Sequence, residues 1–289
     1  MKQGVLITAH NNPEHLLDLI NYFEGKFSIY LHIDKRSLNK LDWTEIIHHP
    51  DITYINTEHV PKWSSWNILQ SNMQLIHQAL QNPELEYFHM LSGQDFPCKS
   101  LDNLIQFSEA NKNQIFMQHE AFPAKHLDDG GRDRYSYFHL NHWIDQRKHS
   151  RIHQWIINGQ KKMRISRRLP AEFPPLYLGS AWWSMPRNAL TSIDIHTNQH
   201  PQFYNWLKFT KFPDEIYIPT LLADSSFTQQ IQEGIRYIRW EVNNSGSPAE
   251  LAIEDFEAIV TSPYFFARKF GNDSAALRKK LMGHFKPEV

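Results

Sequence analysis

The chain has 289 residues, 41% of them hydrophobic and 13% aromatic, with a formal net charge of -1. That length can bury one large core or two small ones, and near-neutral charge gives no general electrostatic case for nucleic acid as a partner. The single cysteine, Cys98, excludes an intramolecular disulfide framework and a multi-cysteine zinc site, and it fits a reducing compartment.

The opening MKQGVLITAH has too short an apolar run for a signal peptide or a membrane span, and no later stretch supplies one. A soluble, cytoplasmic protein is expected. Gly4–Ala9 predicts a buried strand, broken by Asn11-Asn12-Pro13. Leu16, Leu17, Leu19, Ile20 and Phe23 then recur at helical spacing. Phe27–Ile33 predicts a second strand, Ile52–Ile55 a third and Tyr87–Leu91 a fourth, with a helix over Ser64–Leu80. Strands alternating with helices predict βαβ units: an α/β fold with a mostly parallel central sheet flanked by helices. In such sheets ligands sit beyond the strand C-termini. His10, Asp34 and the loop Ser92–Pro97 all fall there. Neither G-x-G-x-x-G nor G-x-x-x-x-G-K-[ST] occurs, so no Rossmann dinucleotide site or P-loop is indicated.

From residue 146 to 170 the chain carries Arg147, Lys148, Arg151, Lys161, Lys162, Arg164, Arg167 and Arg168 and no acid, with Trp155, Ile156, Ile157, Met163 and Ile165 between them. Two readings stand: a solvated helix face, or a surface that meets anionic lipid headgroups or a phosphate-bearing acceptor. Leu178–Met185 predicts a strand and Arg187–Ile193 a helix. Pro213-Asp214-Glu215 reads as a helix beginning, because Pro loses no useful N–H there and acids suit the unsatisfied N–H groups. Asp214 is assigned to capping. Arg236–Trp240 predicts a further strand, and a basic helix and a frayed tail, Gly283–Val289, end the chain.

Six stretches occur in order: IYLHIDKRS (Ile29–Ser37), KWSSW (Lys62–Trp66), MLSGQDFP (Met90–Pro97), GSAWWSMPR (Gly179–Arg187), FPDEIYIPTLL (Phe212–Leu222) and FFARKF (Phe265–Phe270). Together they resemble the family of core-2/I-branching β-1,6-N-acetylglucosaminyltransferases and peptide O-xylosyltransferases, from about Gly4 to Phe270. Ser247–Phe270 resembles the xylosyltransferase branch more than the core-2 branch. The resemblance implies a GT-A-type glycosyltransferase, an enzyme that inverts the anomeric centre of a UDP-sugar (GlcNAc or xylose) without a divalent metal or other cofactor. The absence of any D-x-D triplet agrees with that. A single domain, 1–289, is expected, with a nucleotide-sugar half (1–120) and an acceptor and catalytic half (121–289).

Residue by residue, the resemblance implies Glu215 as the catalytic base and the Arg268-Lys269 pair as the groups that stabilise leaving UDP. It places Asp34 and Arg36 at the uridine end, with His10 on the neighbouring loop and Trp63 as an aromatic wall beside the nucleotide. Trp63 belongs to a W-G-G loop in the family; here two serines, Ser64 and Ser65, replace the glycines. Asp95 is implied to orient the transferred sugar or the acceptor, and Glu120 and Trp240 to contact the acceptor. The membrane anchor and disulfides of the animal enzymes find no counterpart, so a bacterial-type cytoplasmic member in surface-polysaccharide synthesis is expected. Its acceptor would be a glycan or lipid-linked sugar, with peripheral contact at the inner membrane through residues 146–170. Three other readings remain open: a non-catalytic carbohydrate-binding protein on the same fold, a metal-dependent transferase using Asp34 and Asp95, and a glycosidase, which would need an acid partner for Glu215.

Overall fold

A computed structural model describes residues 1–240 and 247–285. The last four residues of the tail expected to fray lie outside the described residues. Four parallel strands, β1 (Lys2–Ala9), β2 (Phe27–Ile33), β3 (Ile52–Asn56) and β4 (Leu85–Ser92), form one side of the main sheet. Shorter strands follow: β5 (Asp95–Pro97), β6 (Ile115–Phe116), β7 (His119–Ala121), β8 (Tyr177–Gly179), β9 (Ser184–Pro186), β10 (Ile231–Gln232), β11 (Arg236–Ile238) and β12 (Phe266–Arg268). The main sheet has seven strands in the order β10-β6-β9-β4-β1-β2-β3, and only β9 runs against the rest. This is the mostly parallel α/β sheet expected from the strand–helix alternation.

The central strands are apolar along their length because both faces are covered. Val5, Ile7 and Ala9 join one core with Leu16, Leu19 and Phe23 of the helix Pro13–Phe23. Leu6, Phe88 and Met90 join the other with Leu69, Met73 and Ile76 of the helix Trp66–Leu80. The period of two along each strand makes that division. The first helix starts where the breaker was read: the Asn12 side chain accepts the His15 N–H at 3.1 Å.

Two expectations are corrected. Leu178–Met185 is not one strand: β8 pairs with β7 in a separate two-stranded sheet, while β9 enters the main sheet. Gly179 marks the break, since a Cβ there would sit 2.5 Å from the Gln118 carbonyl and 2.7 Å from Pro219 Cγ. The helix at Pro213 is also interrupted. A single 3-10 turn, Pro213–Glu215, precedes a short α-helix, Tyr217–Ala223. Pro219 has no N–H to offer the Glu215 carbonyl four residues back, so a continuous helix loses a bond there.

Candidate active site

Just beyond the C-terminus of β4 the chain enters a small second sheet, β11-β12-β5. Its antiparallel register sets Arg268 directly opposite Asp95. The loop leading to β5 reaches it by a close approach at Gly93, where a Cβ would lie 2.8 Å from Ala9 Cβ. Asp95 is completely buried: Oδ1 accepts from Arg268 at 2.7 Å, Oδ2 accepts the Ser92 N–H at 2.8 Å, and Arg236 lies 3.9 Å away. Arg236 is itself buried, donating to the Met90 carbonyl while its Nε and Nη1 have no hydrogen-bond partner among the described residues. Burial pulls its pKa down to about 10. Two guanidinium groups thus share one carboxylate, which leaves this corner net positive. Arg268 rests on the Trp182 ring at 4.8 Å. Lys269, next in line, is held only loosely, 3.8 Å from Glu250.

At the end of β2, Asp34 is buried and wholly engaged. It caps the following turn by accepting the Arg36 N–H, and its carboxylate takes the Arg36 guanidinium, Nη2 at 2.6 Å. Arg36 also donates to Asp145 at 3.0 Å and to the Pro61 carbonyl at 2.7 Å. His10 feels the charges of this pair and of Lys269. Loss of hydration lowers its pKa; Asp34 opposes that, and Arg147, Arg36 and Lys269 reinforce it. A neutral imidazole at neutral pH follows.

Asp34 and Asp95, expected at the nucleotide-sugar site, are the buried partners of Arg36 and Arg268. Such charge-assisted pairs fix the two cations in place.

Glu215 lies at the far end. Its side chain remains 31% exposed, and Arg134 donates to Oε2 at 2.6 Å. Among the described residues no other side chain donates to it, so Oε1 is free to accept a proton. Dehydration in the cleft raises its pKa above the ordinary glutamate value, while Arg134, Lys211 and His126 pull it back. Charge compensation by Arg134 takes the place of the expected helix N-terminus. Asp214 is buried and its Oδ1 has no partner; dehydration followed by repulsion from Glu215 pushes its pKa up, against the backbone N–H groups of Asp214 and Glu215 and the charge of Arg134.

The Trp63 loop is tied to the Glu215 turn rather than to β2. Phe212 donates its N–H to the Ser64 carbonyl at 3.2 Å, and the Trp63 and Phe212 rings meet edge-on at 4.9 Å. Ser64 and Phe212 both take left-handed backbone conformations, φ 59° and 54°. Such angles cost a non-glycine residue about 1–3 kcal/mol, and they persist only where surroundings enforce them. Here the Ser64 hydroxyl accepts from Asn141 at 2.7 Å and donates to Gln146 at 3.0 Å. A serine therefore occupies a glycine-type angle, with two hydrogen bonds in partial compensation. Arg147 and Lys211 lie over the Trp63 ring at 5.1 and 5.6 Å.

Glu120, on β7, is half-exposed and pairs with His126 at 2.7 Å. Its sheet is joined to the Glu215 helix through Tyr177, whose N–H bonds Thr220 at 3.0 Å. Trp240 is exposed just beyond β11, bridged to Pro248. Sequence reasoning missed Arg134, Asp145, Trp182 and Arg236. None sits in a motif by itself, although Trp182 lies inside the GSAWWSMPR stretch. Among the described residues no group of three or more His, Cys, Asp or Glu is arranged to hold a metal ion. Among them, too, no helix is long and apolar enough to cross a membrane.

A family model described as "Core-2/I-Branching enzyme" matches residues 5–260. Xylosyltransferase 2 of Rattus norvegicus is 25% identical over 276 residues, covering 86% of this chain and 29% of its own length. A xylosyltransferase of Ciona intestinalis is also 25% identical, covering 88% and 30%. The chain thus spans less than a third of these curated relatives. Among solved structures, a glycosyltransferase involved in glycosylation of the major capsid of PBCV-1 is 12% identical, covering 97% of this chain and 98% of its own, with a TM-score of 0.37.

Proposed function

Because the chain belongs to the Core-2/I-branching enzyme family, we propose that it is a glycosyltransferase that moves a sugar from a UDP-sugar, with GlcNAc or xylose as the sugar, to a hydroxyl of a glycan or lipid-linked acceptor. The observation that carries this reading is the pairing of β5 with β12, which aims Arg268 from a buried carboxylate and sets Lys269 beside it. Two adjacent cations can take the charge that develops on a departing diphosphate, the task a metal performs elsewhere. No D-x-D triplet is present to bind one. Asp34 and Asp95 are each neutralised by an arginine, which weighs against the metal-dependent reading.

Glu215 acts as general base. Its free oxygen takes the proton from the acceptor hydroxyl as that oxygen attacks the sugar C1. The C1–O bond to UDP breaks on the opposite face, and the anomeric centre inverts. Arg134 holds the carboxylate in place, and its charge opposes the dehydration that raises the Glu215 pKa. Arg36 and His10 bound the uridine end, with Asp34 behind Arg36; Trp63 flanks the cleft. Glu120 and Trp240 face the acceptor side, and the setting is bacterial surface-polysaccharide synthesis.

Glu215→Gln tests the base directly. Removing general-base help should cut turnover ~10²–10⁴-fold, with UDP affinity nearly unchanged because Glu215 does not touch the nucleotide. A large loss of UDP affinity would move Glu215 out of that role.

A further inference from the structure

The helix Ser150–Lys162 carries large apolar side chains on its solvent side. His153, Ile157 and Gln160 turn inward and are buried. Ile152, Trp155 and Met163 recur at the spacing of a second stripe on the solvent side, with Gly159 between them. Trp155 is 82% exposed and Met163 65%, among the most exposed large apolar side chains described. A Cβ built on Gly159 would lie 4.0 Å from the Met163 methyl, so Met163 reaches back over this face of the helix. Trp143 extends it, 62% exposed. Lys148, Arg151, Lys162, Arg164 and Arg168 lie on and beside this helix in the chain, all exposed, and no acid occurs from residue 146 to 170. The other cations of the stretch are committed elsewhere: Arg167 is buried against Trp206, Lys161 pairs with Asp133, and Arg147 stacks on Trp63.

Exposed Trp, Ile and Met side chains interspersed with exposed Lys and Arg, which form no ion pair among the described residues, match the two demands of an anionic bilayer. Aromatic and aliphatic groups enter the acyl boundary, and cations meet lipid phosphates. We propose that this face docks the protein peripherally on membranes carrying anionic lipid, with Ile152, Trp155 and Met163 inserted. The face is continuous with the cleft. A depression of about 440 Å³ lined by Arg36, Lys62, Trp143, Lys148, His149 and Ile152 lies between them, and Asp145, just before the helix, holds Arg36. An acceptor presented at the lipid surface would therefore meet the site from its side. Docking itself does not depend on the transferase reading, because vesicle binding and sugar transfer are measured separately.

The test is co-sedimentation of the full chain with vesicles of phosphatidylglycerol and phosphatidylcholine, against phosphatidylcholine alone, at physiological salt. Wild type should pellet with the anionic vesicles only, with a blue shift of tryptophan emission. Trp155→Ser combined with Ile152→Ser should abolish the blue shift and lower partitioning at least tenfold. Arg151→Gln and Lys162→Gln should each weaken it about fivefold. These side chains are exposed, so unchanged circular dichroism and melting temperature certify the variants. Failure to pellet would overturn the proposal, as would equal pelleting with neutral vesicles or full binding by the Trp155/Ile152 variant. So would a dimer in sedimentation velocity that Trp155→Ser dissociates, since a second copy would then cover this face.

Discussion

Asp95→Ala removes the one carboxylate that two arginines share. The site is dry: Asp95 has no exposure, and Arg236 already leaves two nitrogens without hydrogen-bond partners among the described residues. Breaking a buried pair by deleting one member costs about 3–5 kcal/mol, because the remaining charge stays buried and uncompensated. The Ser92 N–H also loses its acceptor. For a chain of this size each kcal/mol lowers the melting temperature by roughly 2–4 °C, so a fall of roughly 6–20 °C is expected. Asp95→Asn, which can still accept from Ser92, should fall less. Both should lose UDP affinity, because Arg268 is no longer anchored opposite β5. Differential scanning calorimetry and a UDP titration measure the two effects. A melting temperature within about 2 °C of wild type, with UDP affinity unchanged, would refute the role given to Asp95.

Arg268→Ala and Lys269→Ala should each weaken UDP binding as well as turnover, read by calorimetry; two variants that bind UDP like wild type would undo the clamp. Ser64→Ala keeps the left-handed backbone and loses two buried hydrogen bonds, so about 1–3 kcal/mol of stability should go. Ser64→Gly relieves the backbone and should lie closer to wild type in denaturant unfolding. Asp214 has a raised folded pKa, so the folded state keeps a proton that the unfolded state has released. Its contribution to stability is full below the unfolded value near 3.8 and declines as pH rises to the raised folded value. Asp214→Asn should remove that decline, gaining on wild type in melting temperature between about pH 4 and pH 8. A constant difference between the two proteins would place the titration elsewhere.

The long strands were legible because burial on both faces writes a continuous apolar run, and Phe27–Ile33 matches its strand residue for residue. The three-residue strands β5 and β12 were not, since so short a segment carries no period, yet their pairing is what fixes Arg268. The type of each site residue could be read, but the direction of its side chain could not. Asp34 and Asp95 sit where ligand contacts were expected, and the arginine each one binds was not foreseen. Arg134, Asp145 and Arg236 meet their partners across 81, 109 and 146 positions. No local pattern encodes such contacts. The left-handed angle at Ser64 was hidden for a different reason: serine is an ordinary loop residue, and only its hydrogen bonds to Asn141 and Gln146 explain how it occupies that position.

The central claim is that paired cations, not a metal, receive the diphosphate of a UDP-sugar. Calorimetric titration of UDP-GlcNAc and UDP-xylose into the protein, once in EDTA and once with Mn²⁺, tests it most directly. One donor should bind equally well under both conditions, and Arg268→Ala should abolish that binding. Binding that requires Mn²⁺, or that survives Arg268→Ala unchanged, would contradict it.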